Sequence, residues 1–117
     1  MDETAGWKFY RKQIRALESG NFDALMEQYS DDAQLVGFDF VVVGKEEIRR
    51  HMEEYLQRLG KLQLISTDKW SESGDTIFYE ATLDTAEARA RVYDAFVLRN
   101  GKATHHFTGV IMVMSRE

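Results

Sequence analysis

Hydrophobic positions change period twice along this chain, and the changes mark its elements. From Thr4 to Glu18 the apolar side chains Trp7, Tyr10, Ile14 and Leu17 recur at helical spacing, and Gly20 follows where a left-handed residue ends a helix. Asn21 then caps a short second helix with Phe22, Leu25, Met26 and Tyr29 on its apolar side, closing at Ser30-Asp31-Asp32. Ala33 to Val43 is apolar and β-branched but broken at Gly37 and Asp39, so it reads as two short strands or a strand and a turn. After Gly44, Lys45 to Leu59 returns to helical period through Ile48, Met52, Tyr55, Leu56 and Leu59, with Glu46 and Glu47 in the first turn and Gly60 as the stop.

Beyond Gly60 the period falls to two. The segments are Leu62 to Glu72, a turn at Ser73-Gly74-Asp75, Thr76 to Asp84, a turn near Thr85-Ala86-Glu87, and a closing hairpin over Ala88 to Met114 around Arg99-Asn100-Gly101-Lys102. Helices first and a four-strand meander last predict an α+β fold, with helices packed on one face of a curved, mostly antiparallel sheet and closing its concave side into a pocket. The 117 residues suffice for one domain, residues 1–117, with a core that needs no staples.

Within the hairpin, Ala90, Val92, Asp94, Phe96 and Leu98 share one face, opposite Arg89, Arg91, Tyr93, Ala95, Val97 and Arg99. Asp94 thus sits on the apolar face. A carboxylate there loses hydration, and must find a donor, take up a proton or face a wet cavity. His105 and His106 point to opposite faces, and the turn decides which joins Asp94. A two-residue type I′ turn at Asn100-Gly101 pairs Arg99 with Lys102 and Phe96 with His105, bringing His105 to the acid's face. A three-residue turn with a glycine bulge pairs Leu98 with Lys102, sets Asp94 opposite His106, and puts Tyr93 opposite Phe107 on the outer face as a dimer patch.

Composition narrows the chemistry. A net charge of -5, from 15 Lys and Arg against 20 Asp and Glu, opposes phosphate-backbone binding, so no nucleic-acid partner is expected. The absence of Cys excludes disulfides, thiolate metal sites and a Cys nucleophile. No HxH, HxxxH or HExxH spacing, phosphate loop, nucleophile elbow or dinucleotide fingerprint occurs, so neither a metal set nor a cofactor is expected. The start Met1-Asp2-Glu3-Thr4 is acidic where a secretory signal would be basic, and no apolar run approaches the ~20 residues of a membrane span, which predicts a cytoplasmic protein without a membrane partner. His51, beside Met52 and Tyr55, reads as the edge of an apolar stripe; Trp7, Tyr10, Tyr55, Trp70 and Tyr79 read first as core or interface aromatics, some of which line any cavity. Arg89, Arg91 and Arg99 read as a solvated strip or as partners of acids across a dimer.

Four pieces of sequence, in this order, carry a resemblance: Ser19-Gly20-Asn21-Phe22-Asp23-Ala24-Leu25, Tyr29-Ser30-Asp31-Asp32-Ala33, Gly44-Lys45-Glu46-Glu47-Ile48-Arg49, and Asp94-Ala95-Phe96 leading to Asn100-Gly101-Lys102. With the order of elements, they resemble the nuclear transport factor 2-like superfamily, which includes ketosteroid isomerases and SnoaL-like polyketide cyclases. The resemblance implies a cone-shaped half-barrel, a homodimer through the sheet, and a small-molecule cavity between helices and sheet. It also places His106 inward and makes Asp94 similar to the acid that, with a tyrosine, holds a developing oxyanion in the isomerases. Tyr29 falls where those enzymes keep an auxiliary pocket tyrosine. Gln13 replaces their helix-one tyrosine, and their base position falls at Gly37; Asp39, two residues on, keeps the same parity and supplies a carboxylate if that segment is extended.

The expected protein is a small-molecule binder with a ketosteroid isomerase-like pocket, cofactor-independent, using Asp94 and His106 for acid/base chemistry of an isomerase, cyclase or hydrolase kind. Tyr29, Asp39, Tyr55, Tyr79, Phe96 and Gln13 are its expected ligand contacts, and the ligand is small and largely apolar. The rival is a non-catalytic binding or dimerisation module with a filled cavity. An open pocket of ~300 Å³ or more containing Asp94 separates the two.

Overall fold

The structure, a computed structural model, describes residues 3–114. Met1 and Asp2 of the acidic start lie outside the described residues. Helix α1 spans Ala5–Ser19; the Thr4 side chain accepts from the Trp7 amide at its start, and Gly20 takes the left-handed conformation at its end. Glu72 reinforces that start by accepting from Thr4 Oγ1 and the Gly6 amide. Gly6 is required there, since a Cβ would press on Ile77 and the Glu72 carboxylate. Helix α2 is Phe22–Met26, with the Asn21 side chain capping the Ala24 amide, and helix α3 is Lys45–Leu59.

The strands are β1 Tyr29–Val36, β2 Val41–Val43, β3 Gln63–Ser73, β4 Thr76–Asp84, β5 Arg89–Arg99 and β6 Lys102–Met114. They form one curved, unclosed sheet in the order β2-β1-β6-β5-β4-β3, antiparallel throughout except where β1 runs parallel to β6. Bulges in the β3–β4 and β5–β6 ladders bend it around the helices. Among the described residues no helix is long and apolar enough to cross a membrane.

Two local readings need correction. The second helix ends at Met26, and Tyr29 through Asp32 open strand β1 instead of continuing it. Tertiary pairing overrides the helical spacing here: Tyr29 pairs with Ala103 of β6, while exposed Asp31 and Asp32 occupy an irregular stretch before pairing resumes at Gln34. The hairpin turn combines the two alternatives. Asn100 and Gly101 both have positive φ (54° and 77°), and Arg99 pairs with Lys102, as in a two-residue turn. A bulge at Thr104 on β6 then shifts the register, so that Leu98 faces Ala103 but Val97 faces His105 and Phe96 faces His106. The inward histidine is His106. Tyr93 pairs with Gly109, over which its ring lies, and not with Phe107.

Aromatic side chains fill one end of the cone. Trp7 meets Trp70 edge-on at 4.8 Å, Tyr10 lies 4.5 Å from Tyr79, and Phe9 meets Phe96 at 4.9 Å between ring centroids. All but Tyr79 and Phe96 come from the first half of α1 or from β3, so the second half of α1 faces space not taken by aromatic rings.

Candidate functional site

That space is a cavity of about 410 Å³ bounded by the second half of α1, one face of α3, and the concave faces of β4, β5 and β6. Its walls are mainly aliphatic, with Ile14, Leu17, Met52, Ala81, Leu83 and Val92 among them. Against them stand a few polar groups: Gln13, Asp94, His106, Thr108 and the phenols of Tyr55 and Tyr79. Such a volume lies within the range of small-molecule sites, ~300–1,000 Å³. The open volume has Asp94 in its wall.

Three of these groups, Gln13, His106 and Asp94, belong to one buried thread. Asp94 and His106 are diagonal neighbours on β5 and β6, and His106 Nε2 lies 2.7 Å from Asp94 Oδ1. His106 Nδ1 is 2.8 Å from the Tyr29 hydroxyl, which receives Gln13 Nε2 at 3.0 Å. Gln13 Oε1 in turn accepts from Gln28 Nε2 at 3.4 Å, and that nitrogen also donates to the Phe9 carbonyl at 2.9 Å.

The direction of every bond follows from the last acceptor. A backbone carbonyl only accepts, so Gln28 presents its nitrogen, and its second hydrogen goes to the oxygen of Gln13. Gln13 therefore donates to Tyr29, Tyr29 gives its hydrogen to His106 Nδ1, and the remaining proton of a neutral imidazole sits on Nε2, facing Asp94. The assignment rests on hydrogen-bond complementarity and leaves no fully buried side-chain polar atom of the described residues without a partner. Phe96 stacks on the His106 ring at 3.9 Å and fixes its plane.

Only one oxygen of Asp94 is engaged. Among the described residues nothing donates to Oδ2, and the side chain retains 13% exposure, which the cavity supplies. Tyr79 pairs directly with Asp94 across β4 and β5 and lines the cavity, and its hydroxyl makes no hydrogen bond among the described residues. Burial, followed by the charge of Asp94, pushes the Tyr79 phenol well above its ordinary value, so it remains a donor. Burial does the same to Tyr29, opposed by its bond from Gln13. Tyr55 on α3 is raised by burial and by Asp94, with Arg58 acting against both.

The expected site residues therefore separate. Asp94, His106, Gln13, Tyr55 and Tyr79 line the cavity together. Tyr29 and Phe96 do not: both are wholly buried, Tyr29 behind His106 and Phe96 beneath it, so each acts on the imidazole and cannot touch a ligand in the cavity. Asp39 does not share the acid's sheet face either. Strand β1 stops at Val36, the Gly37 amide bonds the Phe40 carbonyl in a tight turn, and Asp39 is exposed at the cavity mouth. His51 also reaches the mouth, stacked on Phe40 at 4.6 Å. Arg89 and Arg91 pair within the chain, with Asp84 and with Asp68 and Glu80.

Two participants carried no clear signal in the sequence. Gln28, 7% exposed, anchors the polar thread, but a glutamine between Glu27 and Tyr29 announces nothing. Arg58 lines the cavity; its spacing of seven from His51 and three from Tyr55 on one helix was the available clue.

Comparison with curated proteins finds no match. Solved structures match the fold closely. An NTF2-like protein from Anabaena variabilis superimposes with a TM-score of 0.81 at 16% identity, covering 91% of this chain and 86% of its own. A SnoaL-like protein of unknown function from Burkholderia thailandensis gives 0.80 at 14%, covering 96% and 99%. A protein from Kribbella flavida provisionally described as a ketosteroid isomerase gives 0.80 at 13%, covering 97% and 82%. At such identities these likenesses speak for the fold alone, the α+β cone seen here. The family model of the SnoaL-like domain, however, matches residues 10–106, from Tyr10 in α1 to the histidine that holds Asp94. With most of its length matched in this way, the chain belongs to the SnoaL-like domain family.

Proposed function

We propose that this protein binds a small, largely apolar molecule in the α1–α3–sheet cavity and moves a proton on it with Asp94, without a cofactor. The observation that carries the reading is the divided carboxylate: Oδ1 is held by His106 while Oδ2 meets the cavity without a protein donor among the described residues. A carboxylate so placed accepts a proton from a C–H next to a ligand carbonyl. The bonding pair passes to the carbonyl oxygen, the Tyr79 hydroxyl donates a hydrogen bond to that oxygen, and return of the proton to another carbon completes an isomerisation. Cyclisation follows if the enolate carbon attacks a second carbonyl of the same ligand, whose π pair moves to its oxygen and takes up the proton held by Asp94. The aliphatic walls keep water from competing for the carboxylate.

Asp94→Asn preserves size and removes the base. Weakened binding or turnover with the melting temperature retained is the expected result; an unchanged response to ligand in a folded variant would sink the proposal. The outer sheet face supports a homodimer as part of the same reading. Register aligns Phe78, Ala95, Phe107 and Val36 in one apolar row across β4, β5, β6 and β1, with Phe78 half exposed. Beside the row lie both signs of charge in Arg91, Asp68 and Glu80, a pattern that a two-fold axis makes self-complementary.

A further inference from the structure

Helix α3 gives the cavity a second polar pole. His51, Tyr55 and Arg58 follow at spacings of four and three, on one face, and all three line the cavity. From His51 to Arg58 is roughly 10 Å along the helix axis. Arg58 is the only cationic Lys or Arg in that lining, and it makes no ion pair among the described residues. The absence is informative because Glu54 stands one helical turn before it, the usual partner at that spacing. Instead the guanidinium lies over the Tyr55 ring, 5.8 Å from its centroid, at the edge of the cavity. The other charge at the mouth, Asp39, is on the β1–β2 turn beside Phe40 and His51, two helical turns away.

We infer that the ligand of this cavity is an amphipathic anion: an apolar body, a carbonyl or hydroxyl at the Asp94–Tyr79 end, and one carboxylate docked on Arg58. The inference rests on the ligand-site reading above and adds the substrate class to it. A guanidinium resting on an aromatic face keeps its N–H edge free for a carboxylate, and its order is already paid for by the ring. Asp39 repels an anion from the other end of the mouth and so sets the direction in which such a ligand enters. A neutral ligand would leave Arg58 without a role in the cavity lining.

The test uses two nearly isosteric probes, 4-phenylbutanoate and 4-phenylbutanamide, titrated into isotopically labelled protein while backbone amide shifts report both affinity and location. Wild type is expected to bind the acid about ten-fold more tightly than the amide, the size of one charge-assisted contact, with shifts in α3 and around Asp94. Arg58→Gln should abolish the preference and leave amide binding as it was, Arg58→Lys should keep part of it, and added salt should reduce it. Equal affinity for acid and amide in wild type, or a preference that survives in Arg58→Gln, overturns the anion assignment and leaves the Asp94 proposal standing. Failure of both probes to perturb the cavity amides overturns the two together.

Discussion

Tyr29→Phe removes one hydroxyl and should cost far more than one hydrogen bond. The hydroxyl is wholly buried, and so are its partners: Gln13 is 1% exposed and His106 4%. Its loss leaves the Gln13 N–H without an acceptor and His106 Nδ1 without a donor. Each orphaned group costs ~1–3 kcal/mol, so destabilisation on the order of 2–6 kcal/mol is expected. Against a total stability of ~5–15 kcal/mol that is a large fraction, and it corresponds to a fall in Tm of roughly 10 °C or more. Urea unfolding measures it directly. The sharper experiment is a cycle with Gln13→Leu, because Gln28 keeps the Phe9 carbonyl when Gln13 is gone. The double variant should then cost less than the sum of the single ones by about 1–2 kcal/mol, since the second change removes a group the first had already stranded. Imidazole nitrogen shifts of wild type should show the proton of His106 on Nε2. Additive single costs, or a Tyr29→Phe variant within ~0.5 kcal/mol of wild type, would refute the continuous thread from Gln28 to Asp94.

Other expectations follow from single sites. Gly6→Ala should destabilise by about 1–3 kcal/mol in urea unfolding, because the new methyl meets Ile77 and Glu72 and must push α1 off the sheet. Burial, and then the charge of Arg58, hold the imidazolium of His51 below its ordinary value of 6.5. The unfolded chain therefore binds that proton more readily, and the stability associated with neutral His51 is present above the unfolded pKa and lost as pH falls below it. His51→Gln should flatten the loss of stability between about pH 7 and pH 5, and Arg58→Gln should raise the His51 titration midpoint seen by NMR. Phe107→Lys, in the outer apolar row, should yield a folded monomer in sedimentation analysis if wild type is a dimer through the sheet; a dimer that tolerates the charge would place the interface elsewhere.

The sequence carried the elements well wherever periodicity met a clear stop. Helix α3 begins at Lys45 and ends at Leu59 as its stripe and flanking glycines indicate, and β4 spans Thr76–Asp84 as its alternation does. The start of β1 was hidden because Tyr29 lies at helical spacing from Met26 and Leu25, while the partner that makes it a strand, Ala103, is 74 residues away. The location of Asp94 on the concave face was legible from alternation alone. Alternation left His105 and His106 both open and the resemblance pointed to His106, but the strand register was not legible, because it is set by a bulge at Thr104, a position with no glycine or asparagine to mark it. Tyr29 and Phe96 were recognisable as neighbours of the site, yet whether a side chain touches a ligand or only supports one that does depends on packing depth, which no one-dimensional pattern encodes.

The one-way order of the polar thread has a last consequence. From Gln28 to Asp94 every N–H and O–H points the same way, so reversing any one of these bonds requires reversing the rest. The interior behaves as a row of dipoles frozen in alignment, its positive head resting against the carboxylate before any guest arrives. Water around a free carboxylate would have to turn as charge moves; this row is already turned, and the work of orienting it was done when the chain folded.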